Sequence, residues 1–129
     1  MRLGFVRPAL ICLAVFAAAR LPVRAGEPPQ LTSEEQIALN RAFTAMKGPD
    51  VPTRVEGLRL LAGFGTKAAD LVPDVRELLG DENHRIRAAA VATLAKIGAG
   101  EAKVLPAVTK LLADKQWQVR RAVIRALLA

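Results

Sequence analysis

The stretch Asp81-Glu82-Asn83-His84-Arg85-Ile86-Arg87-Ala88-Ala89-Ala90-Val91-Ala92-Thr93-Leu94-Ala95-Lys96-Ile97-Gly98 decides the fold. Ile86, Ala90, Leu94 and Ile97 recur every three to four positions, the spacing of one helix face, and no strand-like alternation interrupts them. Asn83 precedes the run as a helix-capping residue type. Gly98 follows it where a left-handed closing residue is expected, because glycine has no side chain to clash there.

The pattern repeats at a step of 33 residues. That step aligns Arg54, Arg87 and Arg120; Leu61, Leu94 and Leu127; Leu58, Val91 and Ile124; Gly65 with Gly98; and Pro73 with Pro106. It also carries Leu39, Ala42, Ala45 and Met46 onto Val72, Val75, Leu78 and Leu79, so the array extends before residue 50. A fixed period of this length marks stacked supersecondary units, none of which can bury its apolar face alone. The spacing predicts six helices, at about 34–47, 51–64, 67–79, 84–97, 101–113 and 117–128. Ser33 with Gln36 reads as a capping box for the first, Thr66 as the start of the third, and Asp50 and Asn83 as caps of the second and fourth. Pro73 and Pro106 fall inside the third and fifth, where a missing N–H bends the helix or delays its start.

Residues 1–25 read as an export signal that is removed. Arg2 and Arg7 open it, Pro8 to Ala19 is uncharged and apolar, and Val23-Arg24-Ala25 supplies a cleavage site. Twelve helical residues rise only about 18 Å, short of a hydrocarbon core of ~30 Å, which argues against a membrane anchor. Export implies a periplasmic or secreted product. Residues 26–33, with Gly26-Glu27-Pro28-Pro29-Gln30, read as a flexible linker, and 34–129 as one repeat domain. Loss of Arg2, Arg7, Arg20 and Arg24 lowers the formal charge from +7 to +3. Cys12 leaves with the signal, so the product forms no disulfide and no thiolate metal site.

The segment 81–90, followed by Leu94, Ile97-Gly98 and Leu105-Pro106-Ala107-Val108, resembles bacterial HEAT-like repeats, including those named after phycobilisome lyases. Asp114 to Leu127 repeats the signature. The resemblance implies an all-α fold, a short right-handed solenoid of three helix pairs, with units of about 34–65, 67–98 and 100–129. In such repeats an Asp in the turn and an Arg six residues later recur, matched by Asp81 with Arg87 and Asp114 with Arg120. The first unit has Gly48 at the Asp position and keeps only Arg54. These five residues, Asp81, Arg87, Asp114, Arg120 and Arg54, are expected to register one unit on the next, since an anion is favoured before a helix N-terminus and can accept from a neighbouring Arg.

The second helices carry Arg54, Arg59, Arg85, Arg87, Lys96, Arg120, Arg121 and Arg125 against Glu56 alone, whereas the first helices balance. The resemblance places second helices on the concave side, which implies a basic groove. Arg59, Arg85, Arg121 and Arg125 are the candidate contacts to an acidic protein segment, because a guanidinium grips a carboxylate at two points. A merely solvated basic face is the competing reading. Trp117 is either packing between units or a partner anchor.

Catalysis finds little support. Ser33, His84, Trp117 and Cys12 are each alone of their type, Tyr is absent, and Ser33 and His84 sit on different units. Asp70 and Asp74, spaced one helical turn apart, read as exposed carboxylates screened by Lys67 and Arg76. No glycine-rich phosphate loop is present. The expectation is an exported protein-binding scaffold, not an enzyme, with no cofactor or metal and no membrane span after signal removal. A nucleic-acid or polyanion-binding domain and a lyase-like maturation factor are the alternatives, nucleic acid being disfavoured by the export signal. Self-association, or packing by a partner, is expected through Trp117, Val123 and Leu128 of the last unit.

Overall fold

The computed structural model describes residues 30–98 and 102–129. The export signal and most of the 26–33 linker therefore lie outside the described residues. Helix α1 spans Ser33–Met46 and starts at a capping box. The Thr32 hydroxyl accepts from the Glu35 N–H at 3.2 Å, and the Glu35 carboxylate accepts from the Thr32 N–H at 2.9 Å. The box is thus one residue earlier than the Ser33 and Gln36 pair expected from sequence. Thr and Glu suit the two roles equally, and Ser33 becomes the first helical residue.

Helix α2 (Val51–Gly63) is capped by Asp50, whose carboxylate accepts from the Thr53 N–H at 3.0 Å, and Pro52 sits in the first turn, where its missing N–H is harmless. It packs hard on α1. A Cβ on Gly57 would fall 2.3 Å from the Met46 nitrogen, so only a residue without a side chain allows this approach. Gly65 ends the unit at φ +56, in the left-handed region. Gly98, expected to do the same, has φ −101; there glycine is needed for space instead, as a Cβ would meet the Leu94 carbonyl and Val104 at 2.9 Å.

The first helices of the later units are broken, at the prolines. In place of a single helix over 67–79, a 3-10 stretch Gly65–Leu71 leads into α3 (Val72–Glu77) and closes in a 3-10 turn, Leu78–Gly80. Pro73 stands in the first turn of α3, so the regular helix begins where proline is tolerated. Thr66 makes no capping bond; it lies inside the 3-10 stretch. The third unit repeats this with α5 (Val104–Thr109) and a 3-10 segment Lys110–Ala113. The second helices are long and regular: α4 (His84–Ile97), capped by Asn83, and α6 (Trp117–Leu128).

The chain is all-helical over the described residues, three helix pairs stacked into a solenoid. Helices α2, α4 and α6 lie side by side along much of their length, whereas α3 and α5 touch only marginally. A stack with one tight layer and one spread layer curves toward the tight one, so the second helices form the inner side. Leu58, Leu61, Ile86, Val91 and Leu94 fill the space between layers with no exposed surface. The hydroxyl of Thr93, buried among them, lies between two acceptors, the Leu58 carbonyl of the preceding unit at 2.9 Å and the Ala89 carbonyl of its own helix at 2.8 Å.

An Arg–Asp ladder links successive units. Arg87 grips Asp114 of the next unit at two points, 2.9 and 3.0 Å, while its Nη1 donates to the carbonyls of Asp81 and Glu82 in its own turn. Arg54 reaches Asp81 of the next unit through a single Nη2 bond of 3.0 Å, while its Nε donates to the Met46 carbonyl at 3.3 Å. Arg120 binds the carbonyls of Asp114 and Lys115, and no carboxylate among the described residues. The donated bonds of Arg87 and of the Gln116 N–H, with the charges of Arg87 and Arg120, hold the Asp114 carboxyl below the usual Asp range despite its burial.

Candidate partner-binding groove

The capping residues at 50 and 83 and the turn before Trp117 bring the N-terminal ends of α2, α4 and α6 to one rim of the inner layer. Val51, His84 and Trp117 occupy the same register position there. Between these ends lies a groove of about 840 Å³. Its floor is made of alanines on α4 and α6, Ala88, Ala89 and Ala122, whose short side chains leave the depression. Partial positive charge from helix N-termini adds to the field of the side chains above it.

Four of the five residues singled out from sequence meet in this groove: Arg85, Arg121, Arg125 and Trp117. The Arg121 guanidinium lies over the Trp117 ring, 5.9 Å from its centre, so the ring steadies a cation that is otherwise exposed. Trp117 itself is 55% exposed, which excludes it from the core and places it on the groove's edge. Arg59 does not line the groove. Its Nε and Nη2 donate to the Glu56 carboxylate at 2.9 and 2.8 Å, an exposed pair that lowers the Glu56 pKa and raises that of Arg59.

The seven arginines of the inner layer thus divide. Arg54 and Arg87 pair with ladder aspartates, Arg120 with backbone carbonyls, and Arg59 with Glu56. Arg85, Arg121 and Arg125 face the groove with no carboxylate partner among the described residues. The groove also contains Glu56, the carboxylate already counted on the second helices, and residues that charge counting missed: Val51, Pro52 and Val55 on the α2 side, and Gln118. The buried Oε1 of Gln118 has no hydrogen-bond partner among the described residues. Position 52 aligns with Arg85 and Gln118, and position 55 with Ala88 and Arg121, so the register could have placed them in the same row.

Other expected features separate. Asp70 falls in the 3-10 stretch and Asp74 in α3, so they do not share a helix turn. Asp74 pairs with Lys47, and Lys67 with Glu35, rather than Lys67 screening the two aspartates. Among the described residues no three His, Cys, Asp or Glu side chains gather as a metal site, and no helix is long and apolar enough to cross a membrane. Trp117, Val123 and Leu128 do not form one association face. Val123 is fully buried, and Trp117 and Leu128 stand at opposite ends of α6.

Comparison with curated proteins and with solved structures gave no match. The sequence pattern of HEAT repeats matches residues 40–128, which takes in α1 from its middle, the Arg–Asp ladder and every residue of the groove. The chain belongs to the HEAT repeat family, whose members generally mediate protein–protein interaction.

Proposed function

We propose that this HEAT repeat protein is an exported scaffold that holds an acidic segment of a protein partner in the groove at the N-terminal ends of α2, α4 and α6. The observation that carries the reading is the sorting of charge: every other inner-layer arginine has a partner, and Arg85, Arg121 and Arg125 stand around an alanine floor without one among the described residues. Concavity concentrates their field, and a guanidinium binds a carboxylate in a two-point geometry that a lysine cannot match. Export rests on the character of residues 1–25 and predicts a processed chain recovered outside the cytoplasm.

The test is an Arg121→Glu, Arg125→Glu double variant. Both side chains are exposed, so folding should survive, as circular dichroism would verify. Affinity for a captured acidic partner or a poly-glutamate peptide should fall at least tenfold and lose most of its salt dependence. Unchanged affinity across salt would defeat the proposal. Equal loss for heparin and peptide, with heparin the tighter ligand, would favour a general polyanion site instead.

A further inference from the structure

The groove is not chemically uniform along its length. At its α6 end stand Trp117, Arg121 and Arg125, with Arg85 beside them on α4. At its α2 end stand Val51, Pro52 and Val55, and the one carboxylate among its described lining residues, Glu56, already held by Arg59. The same register positions thus present Val55, Ala88 and Arg121, or Glu56, Ala89 and Ala122, as one moves from the first unit to the third. An acidic segment laid across all three helices would meet unpaired guanidinium groups at the α6 end, but at the α2 end only apolar side chains and a carboxylate already paired with Arg59.

From this asymmetry, and resting on the acidic-segment reading above, we infer that the groove selects a bipartite protein segment: carboxylates over Arg121, Arg125 and Arg85, and an apolar side chain against Val51, Pro52 and Val55. The alanine floor between the two ends admits the connecting backbone. Packed helices lie about 9 Å apart, so the span from α6 to α2 is about 18 Å, or about five residues of extended chain. Charge supplies attraction at one end only, and the spacing to the apolar contact supplies the selectivity.

Trp117 is the single tryptophan of the chain and lies at the groove's edge, so its emission reports occupancy directly. Two capped peptides of identical composition serve as probes on the full chain, each in both chain directions. One carries a leucine about five residues from an Asp-Glu pair, and the other carries it beside the pair. Burial of one apolar side chain should make the spaced peptide about tenfold tighter in one direction. Pro52→Asp, at an exposed first-turn position where a carboxylate is compatible with the helix, should erase that difference, whereas Arg121→Glu should weaken both peptides. Equal binding of the two peptides that still depends on Arg121 would overturn the bipartite reading and leave the acidic-segment reading standing. So would a spacing preference that survives Pro52→Asp. Binding of neither peptide, or binding indifferent to Arg121, would overturn both.

Discussion

The second and third units carry nearly the same residues at the same register, yet different fates befall them. Leu94 is fully buried and Leu127 is 43% exposed; Val91 is fully buried and Ile124 is 49% exposed. The cause lies outside either helix. Leu58, Val91 and Leu94 belong to units with another unit packed on their far side, and the Thr93 hydroxyl bonded to the Leu58 carbonyl shows how close that packing is. No described element packs on the corresponding side of α6. The arginines repeat the lesson: Arg87 meets Asp114 of the following unit, while Arg120, with the same contacts to its own turn, meets no carboxylate among the described residues. In a solenoid the neighbour determines what a side chain contributes, and the helix's own pattern does not.

Paired substitutions at one register position should break the equivalence most visibly in the apolar layer. Leu94→Ala should cost about 3 kcal/mol, the loss of a buried side chain together with the cavity it leaves. Leu127→Ala should cost under about 1 kcal/mol, because half its surface already meets water. Urea midpoints of the two variants measure this. Equal losses would mean that the third unit is covered as completely as the second.

The ladder should show the next largest contrast. Arg87→Met strands Asp114, whose side chain is only 8% exposed, and should cost about 3 kcal/mol near neutral pH. Arg120→Met removes only bonds to two carbonyls, for about 1 kcal/mol. The first loss depends on pH with a definite sign. The folded pKa of Asp114 lies below its unfolded value, so its contribution is complete above about pH 4 and fades as pH falls through the lowered value. The gap between wild type and Arg87→Met should therefore narrow in acid, while that for Arg120→Met changes less. A gap that widens in acid would show that Asp114 is not the group responsible.

The parts legible in sequence are those that a periodic backbone dictates. Arg54, Arg87 and Arg120 recur because each holds its own turn, and Asn83 and Asp50 cap because the helix ends need acceptors. The first helices of units two and three were legible only as helical, since a proline at 73 is compatible with either a bent helix or a late start, and packing chose the late start. The Thr32 cap was hidden beside Ser33, an equally good acceptor one position away. Within the groove, Arg85, Arg121 and Arg125 could be found by charge, but Arg59 could not be separated from them until Glu56 was seen to hold it. The apolar end was missed because Val51, Pro52 and Val55 look like ordinary helix-start residues until three helix ends are brought to one rim.

The smallest effect should come from the outer layer, where ion pairs cross between units as the ladder does but in solvent. Lys67 donates to Glu35 at 2.6 Å, joining the 3-10 stretch of the second unit to α1. That bond, together with the Thr32 N–H, lowers the Glu35 pKa. Both side chains are about one-third exposed, however, so water and salt compete for each charge. Lys67→Met should shift the urea midpoint by less than either ladder variant, and the shift should vanish at about 1 M salt, where screening acts within about 3 Å. The Arg87→Met loss should persist in the same salt because its pair is shielded by the stack. If Lys67→Met proved as costly as Arg87→Met, or as resistant to salt, the outer-layer pair would be as well shielded as the ladder, and its exposure would no longer explain a smaller contribution.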